Sequence, residues 1–286
     1  MNGFLLIDKD KGMTSFDVVR EVRRIAGEKK VGHAGTLDPL ATGLLLVAVG
    51  EGTKLLEFFI GSDKEYEVSA VFGFVSDTYD AEGKIEKVNA DAVFEKNDLE
   101  DAIKKYFIGE FYQMPPKFSA LKIKGRRAYE SARKGEKVEL KARKVKLEIF
   151  DIIDFKWPKV SFRIKCGSGT YVRSLVHDLG QRLNCGAYVE NLRRIKVGNF
   201  SVADTVKLKN LDKKIDQYLI SLEEAAKNFV VWKLNNEEFY GLSNGNILKN
   251  KKIEQEDFVM AFYKGKLVGV LENSDSGVKY RKMIRR

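Results

Sequence analysis

The chain has 286 residues, 44% of them hydrophobic, enough to bury a sizeable core in one large domain or in a large domain plus a small one. Its 51 Lys and Arg against 41 Asp and Glu leave a net charge of +10, which suits a polyanionic partner or simply a basic, soluble protein. No apolar run reaches the roughly 18 residues of a membrane span, Cys166, Cys185, His33 and His177 share no metal-ligand spacing, and neither a GxxxxGK[ST] loop nor a strand-to-helix GxGxxG is present, so zinc chemistry, nucleotide hydrolysis and hydride transfer lose their usual supports.

Met1-Asn2-Gly3 leads straight into the strand-like Phe4–Asp8 with no signal-peptide pattern, so a cytoplasmic location is expected. Thr14-Ser15 offers an N-cap for a helix carrying Val18, Val19, Val22, Ile25 and Ala26, and Gly27 can end it. In VGHAGTLDPLATGLLLVAVG the second half, Leu44–Val49, is a continuous apolar run between Gly43 and Gly50 and reads as a buried strand. The first half is small and turn-rich, with one carboxylate, Asp38, before Pro39 and behind His33, Gly35 and Thr36; taken alone, Asp-Pro is a turn starter. Lys54–Ile60 reads as a short helix. KEYEVSAVF alternates, placing Tyr66 near the start of a strand with one buried face. Residues 77–83 form a turn. Asn97 and Glu100 suggest a capping box for a helix to Phe107, and Pro115-Pro116 fix an extended loop.

From Lys122 to Lys146 there are eleven basic residues against three acids, a local +8 that reads as a phosphate-tracking arm. Val145-Leu147-Ile149 and Val160-Phe162-Ile164-Cys166 alternate as strands. After CGSG, the residues Val172, Leu175, Val176, Leu179 and Leu183 define a helix, so Gly167 and Gly169 mark a junction that can point Tyr171 and Arg173 above the sheet. His177 and Asp178 are read as helix packing or surface. Residues 210–227 are polar and less regular, and Asn228–Arg286 reads as a small β-rich domain with FVMAFY and KLVGVLE flanking the turn Lys264-Gly265.

Taken in order, GHAGTLDPLATGLL, DKEYEVSAVFGFVSDTYDAEG, MPPKFSALKIKGRRAYESARKGE, GTYVRSLVHDLG and LRRIKVGNF resemble the TruB-type tRNA pseudouridine-55 synthases, from about Phe4 to Ser201. The resemblance implies an α+β fold, with a mixed, largely antiparallel central sheet flanked by helices and a small β-rich, PUA-like tail. It implies a catalytic domain over 1–227 with an RNA-clasping insertion at about 122–146, and an RNA-binding domain over 228–286. By the same resemblance Asp38 matches the essential aspartate, Tyr66 the tyrosine that stacks on the target base, and Arg173 the arginine paired with that aspartate. His33 matches the histidine that holds the target nucleotide out of the RNA fold, and Asp80, Tyr171 and Leu192 match further pocket positions. Arg126, Arg127, Arg143 and Lys144 are candidates for the RNA backbone. The implied partner is tRNA, through its T-loop and stem, with no cofactor, metal or obligatory protein partner and a monomeric chain. One departure is Asp10, where the family's DKPxGxTS has proline.

Isomerising uridine to pseudouridine breaks the C1′–N1 bond, turns the base and joins C1′ to C5, without redox change. A carboxylate can act as nucleophile at a sugar carbon or at a base carbon, and sequence does not choose between them. Two other readings stand beside this one: a non-catalytic RNA-binding or RNA-folding protein, and a guide-dependent synthase acting on other RNA.

Overall fold

The computed structural model of the protein describes residues 1–284 except 90, 117, 119–121, 124–125 and 128–139, and describes the backbone alone at 122, 123, 126, 127, 213 and 214. Its centre is a sheet whose strands run in the order Val206–Lys207, Gly3–Lys9, Thr42–Val49, Ala187–Val197, Lys64–Phe72, Lys159–Cys166, Arg143–Lys156, Gly109–Gln113. Along this path only two pairs are parallel, the first and the third, so the sheet is mixed and largely antiparallel, as expected. The unbroken apolar run of Thr42–Val49 follows from its place inside the sheet: Leu45, Val47 and Val49 enter the core on one face, and Leu44, Leu46 and Ala48 the core on the other.

The first of these cores takes the apolar sides of three helices, Ser15–Ala26, Lys96–Tyr106 and Val172–Arg182. Thr14 caps the first of them in a capping box with Asp17, and Gly27 ends it at φ 60°, a left-handed turn that glycine adopts without strain. The second is capped by Glu95 and Asp98 rather than by Asn97 and Glu100. Asp98 lies three residues after Glu95 and accepts its N–H at 2.8 Å, so this earlier acidic pair closes the box. Period-two alternation also misplaces one strand residue. The register of Arg143–Lys156 slips between Leu147 and Ile149, so Val145, Leu147 and Phe150 face the core while Ile149 lines an open cleft on the other face with Glu65 and Arg163.

The second face of the sheet is covered in part by the end of the chain. Val231–Lys233, Phe258–Tyr263, Lys266–Ser274 and Gly277–Met283 form a four-stranded sheet in that order. Met260, Leu267, Val270 and Ile284 join Phe4, Leu6, Phe58 and Phe59 in one apolar cluster. Phe58 meets Phe258 at 4.5 Å between ring centroids, and Phe59 meets Phe229 at 4.9 Å. The terminal β-sheet therefore shares a core with the large one. Among the described residues no helix is long and apolar enough to cross a membrane.

Candidate active site

Asp38 sits on the loop between the short strand Val31–His33 and Thr42–Val49. That loop is pinned at several points. The Ser15 hydroxyl donates to Leu37 O at 3.1 Å and accepts Leu37 N–H at 2.8 Å, Gly12 N–H donates to Pro39 O at 2.8 Å, and Leu37, Leu40 and Ala41 are buried. The carboxylate is thus held by its neighbours' packing while 34% of its side-chain surface stays open to approach.

Arg173 reaches it from the first turn of the Val172–Arg182 helix. Its Nε is 2.9 Å from Asp38, its Nη1 is 3.1 Å from Asp80 and donates to Thr78 O at 2.7 Å, and its Nη2 donates to Phe118 O at 2.9 Å. Only 5% of the arginine side chain is exposed, so a buried planar fork holds two carboxylates and two loops at once. Burial pushes the Asp38 carboxyl above its ordinary range; the Arg173 charge opposes this most, Asp80 adds to it, and Lys9 pulls back down. Lys9 is fully buried, and its ammonium donates to Met13 O at 2.7 Å, Asp10 O at 3.0 Å and Pro39 O at 3.4 Å. Burial lowers its pKa to about 8 against the pull of Asp38.

Tyr66 and Leu192 lie on adjacent strands in the helix-covered core, with Tyr66 paired in register with Arg194. Burial drives the Tyr66 phenol up to about 12, and the Arg194 guanidinium beside it acts the other way. Arg194 is itself buried, donating to Leu44 O at 2.8 Å and Gly35 O at 3.1 Å. Its strand comes so close to Gly43, at φ 95°, that a Cβ there would lie 2.3 Å from Arg194 O; glycine is required. Tyr171 precedes the helix, where the Gln113 side chain accepts its N–H at 2.8 Å and donates to its carbonyl at 3.0 Å.

Asp38, Asp80 and Arg173 therefore meet directly, and the charges of Asp38 and Arg194 both act on Tyr66. His33 is half-buried at the start of the Asp38 loop. Arg143 lies over the Tyr171 ring at 4.4 Å, whereas Lys144, one residue on, pairs with Glu110 at 2.7 Å. Residues 124–125 and 128–139 of the basic segment lie outside the described residues, and so do the side chains of Arg126 and Arg127, whose backbone pairs with Lys122–Ile123. Sequence reasoning missed Lys9, Gln113 and Arg194. For Arg194 a signal existed: in an alternating strand the doublet Arg193-Arg194 must send its two side chains to opposite faces, and one face was already apolar.

Two solved structures share the architecture across 99% of the chain. A H/ACA ribonucleoprotein bound to a substrate RNA containing 2′-deoxyuridine matches with a TM-score of 0.76 over 85% of its chain at 20% identity, and a Cbf5-Nop10-Gar1 complex with 0.75 over 84% at 22%. The fold is that of the pseudouridine synthases. Residues 23–172 match the family described as TruB family pseudouridylate synthase (N terminal domain), and residues 173–231 match the tRNA pseudouridylate synthase B C-terminal domain. The tRNA pseudouridine synthase B of Clostridium kluyveri is 40% identical with 99% of each chain covered, and that of Aquifex aeolicus 38% identical over 95% of this chain and 96% of its own. The chain belongs to the TruB family of pseudouridylate synthases.

Proposed function

We propose that the protein isomerises the uridine at position 55 in the T-loop of tRNA, and that Asp38 is its nucleophile. The observation that carries this reading is an accessible carboxylate fixed by a buried arginine beside a buried aromatic ring. Pseudouridine formation needs those parts. A base must leave its stack and rest on a flat apolar face, and Tyr66, with Leu192, supplies that surface. The nucleophile must be ionised in a desolvated place, and Arg173 offsets the burial that would neutralise it. The C1′–N1 bond breaks, C1′ joins C5, the C5 proton leaves and N1 regains one. Ionised, the Tyr66 oxygen takes the C5 proton and becomes the phenol. Arg194 beside it favours that phenolate beforehand, which burial alone would disfavour at neutral pH.

In the same reading Arg143 and Tyr171 border the entering nucleotide, His33 holds it out of the RNA fold, and Arg126, Arg127 and Lys144 act on phosphates. Residues 228–286 serve as a PUA-like RNA-binding unit. The enzyme works as a cytoplasmic monomer without cofactor, metal or obligatory protein partner. Release of tritium from C5-labelled uridine in tRNA tests the reaction directly, because joining C1′ to C5 expels that hydrogen. Purified protein that releases none would overturn the assignment.

A further inference from the structure

The turn that carries Asp80 is held in an unusual backbone state. Tyr79, between Thr78 and Asp80, has φ 64°, a left-handed conformation that disfavours any residue with a Cβ. Both of its neighbours bind Arg173, Thr78 through its carbonyl at 2.7 Å and Asp80 through its carboxylate at 3.1 Å. On the strand side Val189 N–H donates to Tyr79 O at 3.0 Å, and Ala81 N–H donates to Val189 O at 2.9 Å. On the helix side the Tyr79 ring lies flat on His177, with centroids 3.8 Å apart and planes 11° from parallel. His177 stands one helical turn beyond Arg173, so both touch the same turn. The buried His177 Nδ1 has no hydrogen-bond partner among the described residues. Burial lowers the pKa of this ring, which favours a neutral imidazole that contributes a flat surface rather than a charge.

We propose that His177 is a positioning residue: by stacking on Tyr79 it locks the Thr78–Asp80 turn onto the helix and so fixes the angle at which Arg173 meets Asp38. The strand bonds fix the backbone of the turn from one side only. On the helix side the stack joins the bonds from Arg173 to Thr78 and Asp80, and the arginine fork, shared between the turn and Asp38, carries the position of the turn to that carboxylate. This rests on Asp38 and Arg173 serving turnover, as proposed above.

The test uses the full-length protein and single-turnover tritium release at saturating tRNA, with tRNA affinity measured separately. His177→Leu removes the flat face, and His177→Phe keeps it while dropping the nitrogens. The Leu variant is expected to react about tenfold slower or more, the scale of a small misplacement at a reacting group, with tRNA affinity nearly unchanged. The Phe variant is expected to react at close to the wild-type rate. Tyr79→Leu, made from the other side of the stack, should reproduce the loss, and the double variant Tyr79→Leu/His177→Leu should be no slower than either single one. A normal rate in both single Leu variants, a Phe variant as slow as the Leu variant, or multiplying effects in the double variant would each overturn the proposal. Should His177→Leu fail to fold, Tyr79→Leu and His177→Phe carry the test. Wild-type protein without turnover would instead sink the assigned reaction.

Discussion

On the helix-covered face of the sheet, Arg173 lies buried between two carboxylates, Asp38 and Asp80. On the other face the arrangement is inverted: Glu65 lies buried between Arg163 and Lys196, and Asp8 between Arg193 and Lys207. The outer cations keep between a third and a half of their side chains in water, while the inner arginine keeps almost none. A carboxylate flanked by hydrated cations is well satisfied and chemically idle. One arginine shared by two carboxylates is given wholly to neither, and Asp38 is the more open of the two. Burial also sets the cost of damage. Removing a partner from a buried pair costs about 3–5 kcal/mol, while exposed pairs contribute about 0–1 kcal/mol.

The largest effect expected from breaking this contrast is in Asp38→Asn, which keeps the shape but removes the proposed nucleophile. Tritium release should vanish while tRNA binding persists, and a rate within about tenfold of wild type would remove Asp38 from the chemistry. Next comes Arg173→Lys, which keeps the charge and loses the fork that spans both carboxylates. Turnover should fall by about 10²-fold or more, with the acid limb of the pH–rate profile moved upward because Asp38 ionises less readily; an unmoved limb would separate the arginine from that ionisation. Tyr66→Phe keeps the aromatic face and loses the hydroxyl. Affinity should hold while turnover drops by about 10²-fold, and normal turnover would leave Tyr66 as a platform only.

Smaller effects sharpen the comparison in stability rather than rate. Asp178, on the same helix as Arg173, titrates at about 6 in the folded chain against 3.8 ordinarily, because burial outweighs the help of Arg182. Between those values the folded state holds the extra proton, so its contribution to stability falls as pH climbs through that window and stays lowered above it. Asp178→Asn should therefore melt higher than wild type at pH 7.5, and the gain should disappear below about pH 4; an equal gain at both would point to packing. Smallest is Glu65→Gln on the outer face, expected to cost about 1 kcal/mol by denaturant titration with turnover unchanged, because the cations it leaves, Arg163 and Lys196, stay hydrated. A large loss of turnover there would show that the two faces are coupled.

Local pattern made much of the fold legible. Alternation gave Lys64–Phe72 and Lys159–Cys166, and spacing gave the helices after Thr14 and Tyr171. It failed where one residue breaks the period, as beyond Leu147; at the tail it gave the strands around Lys264-Gly265 but not their packing, because Phe229, Phe258 and Phe58 bear no local mark of touching. In the candidate site the reason is sharper. Nothing within a few residues of Asp38 foretells Arg173, and ordered motifs rather than local chemistry paired them. Gln113 escaped because it holds the backbone of Tyr171 from a distant strand, and Lys9 because a lysine at the end of an apolar strand ordinarily reads as a surface residue.

The strand Ala187–Val197 enters the sheet between Thr42–Val49 and Lys64–Phe72, two strands made much earlier in the chain. Until it is inserted, Arg194 is not beneath Tyr66, Gly43 has no neighbour to approach, and Val189 does not hold the turn at Tyr79. Such long-range pairing is slow to form because a large loop must close first. Recovery of catalysis during refolding therefore times the closure of the sheet's centre, and a ribosome-bound chain that has not yet released residue 194 has no pocket with which to modify RNA.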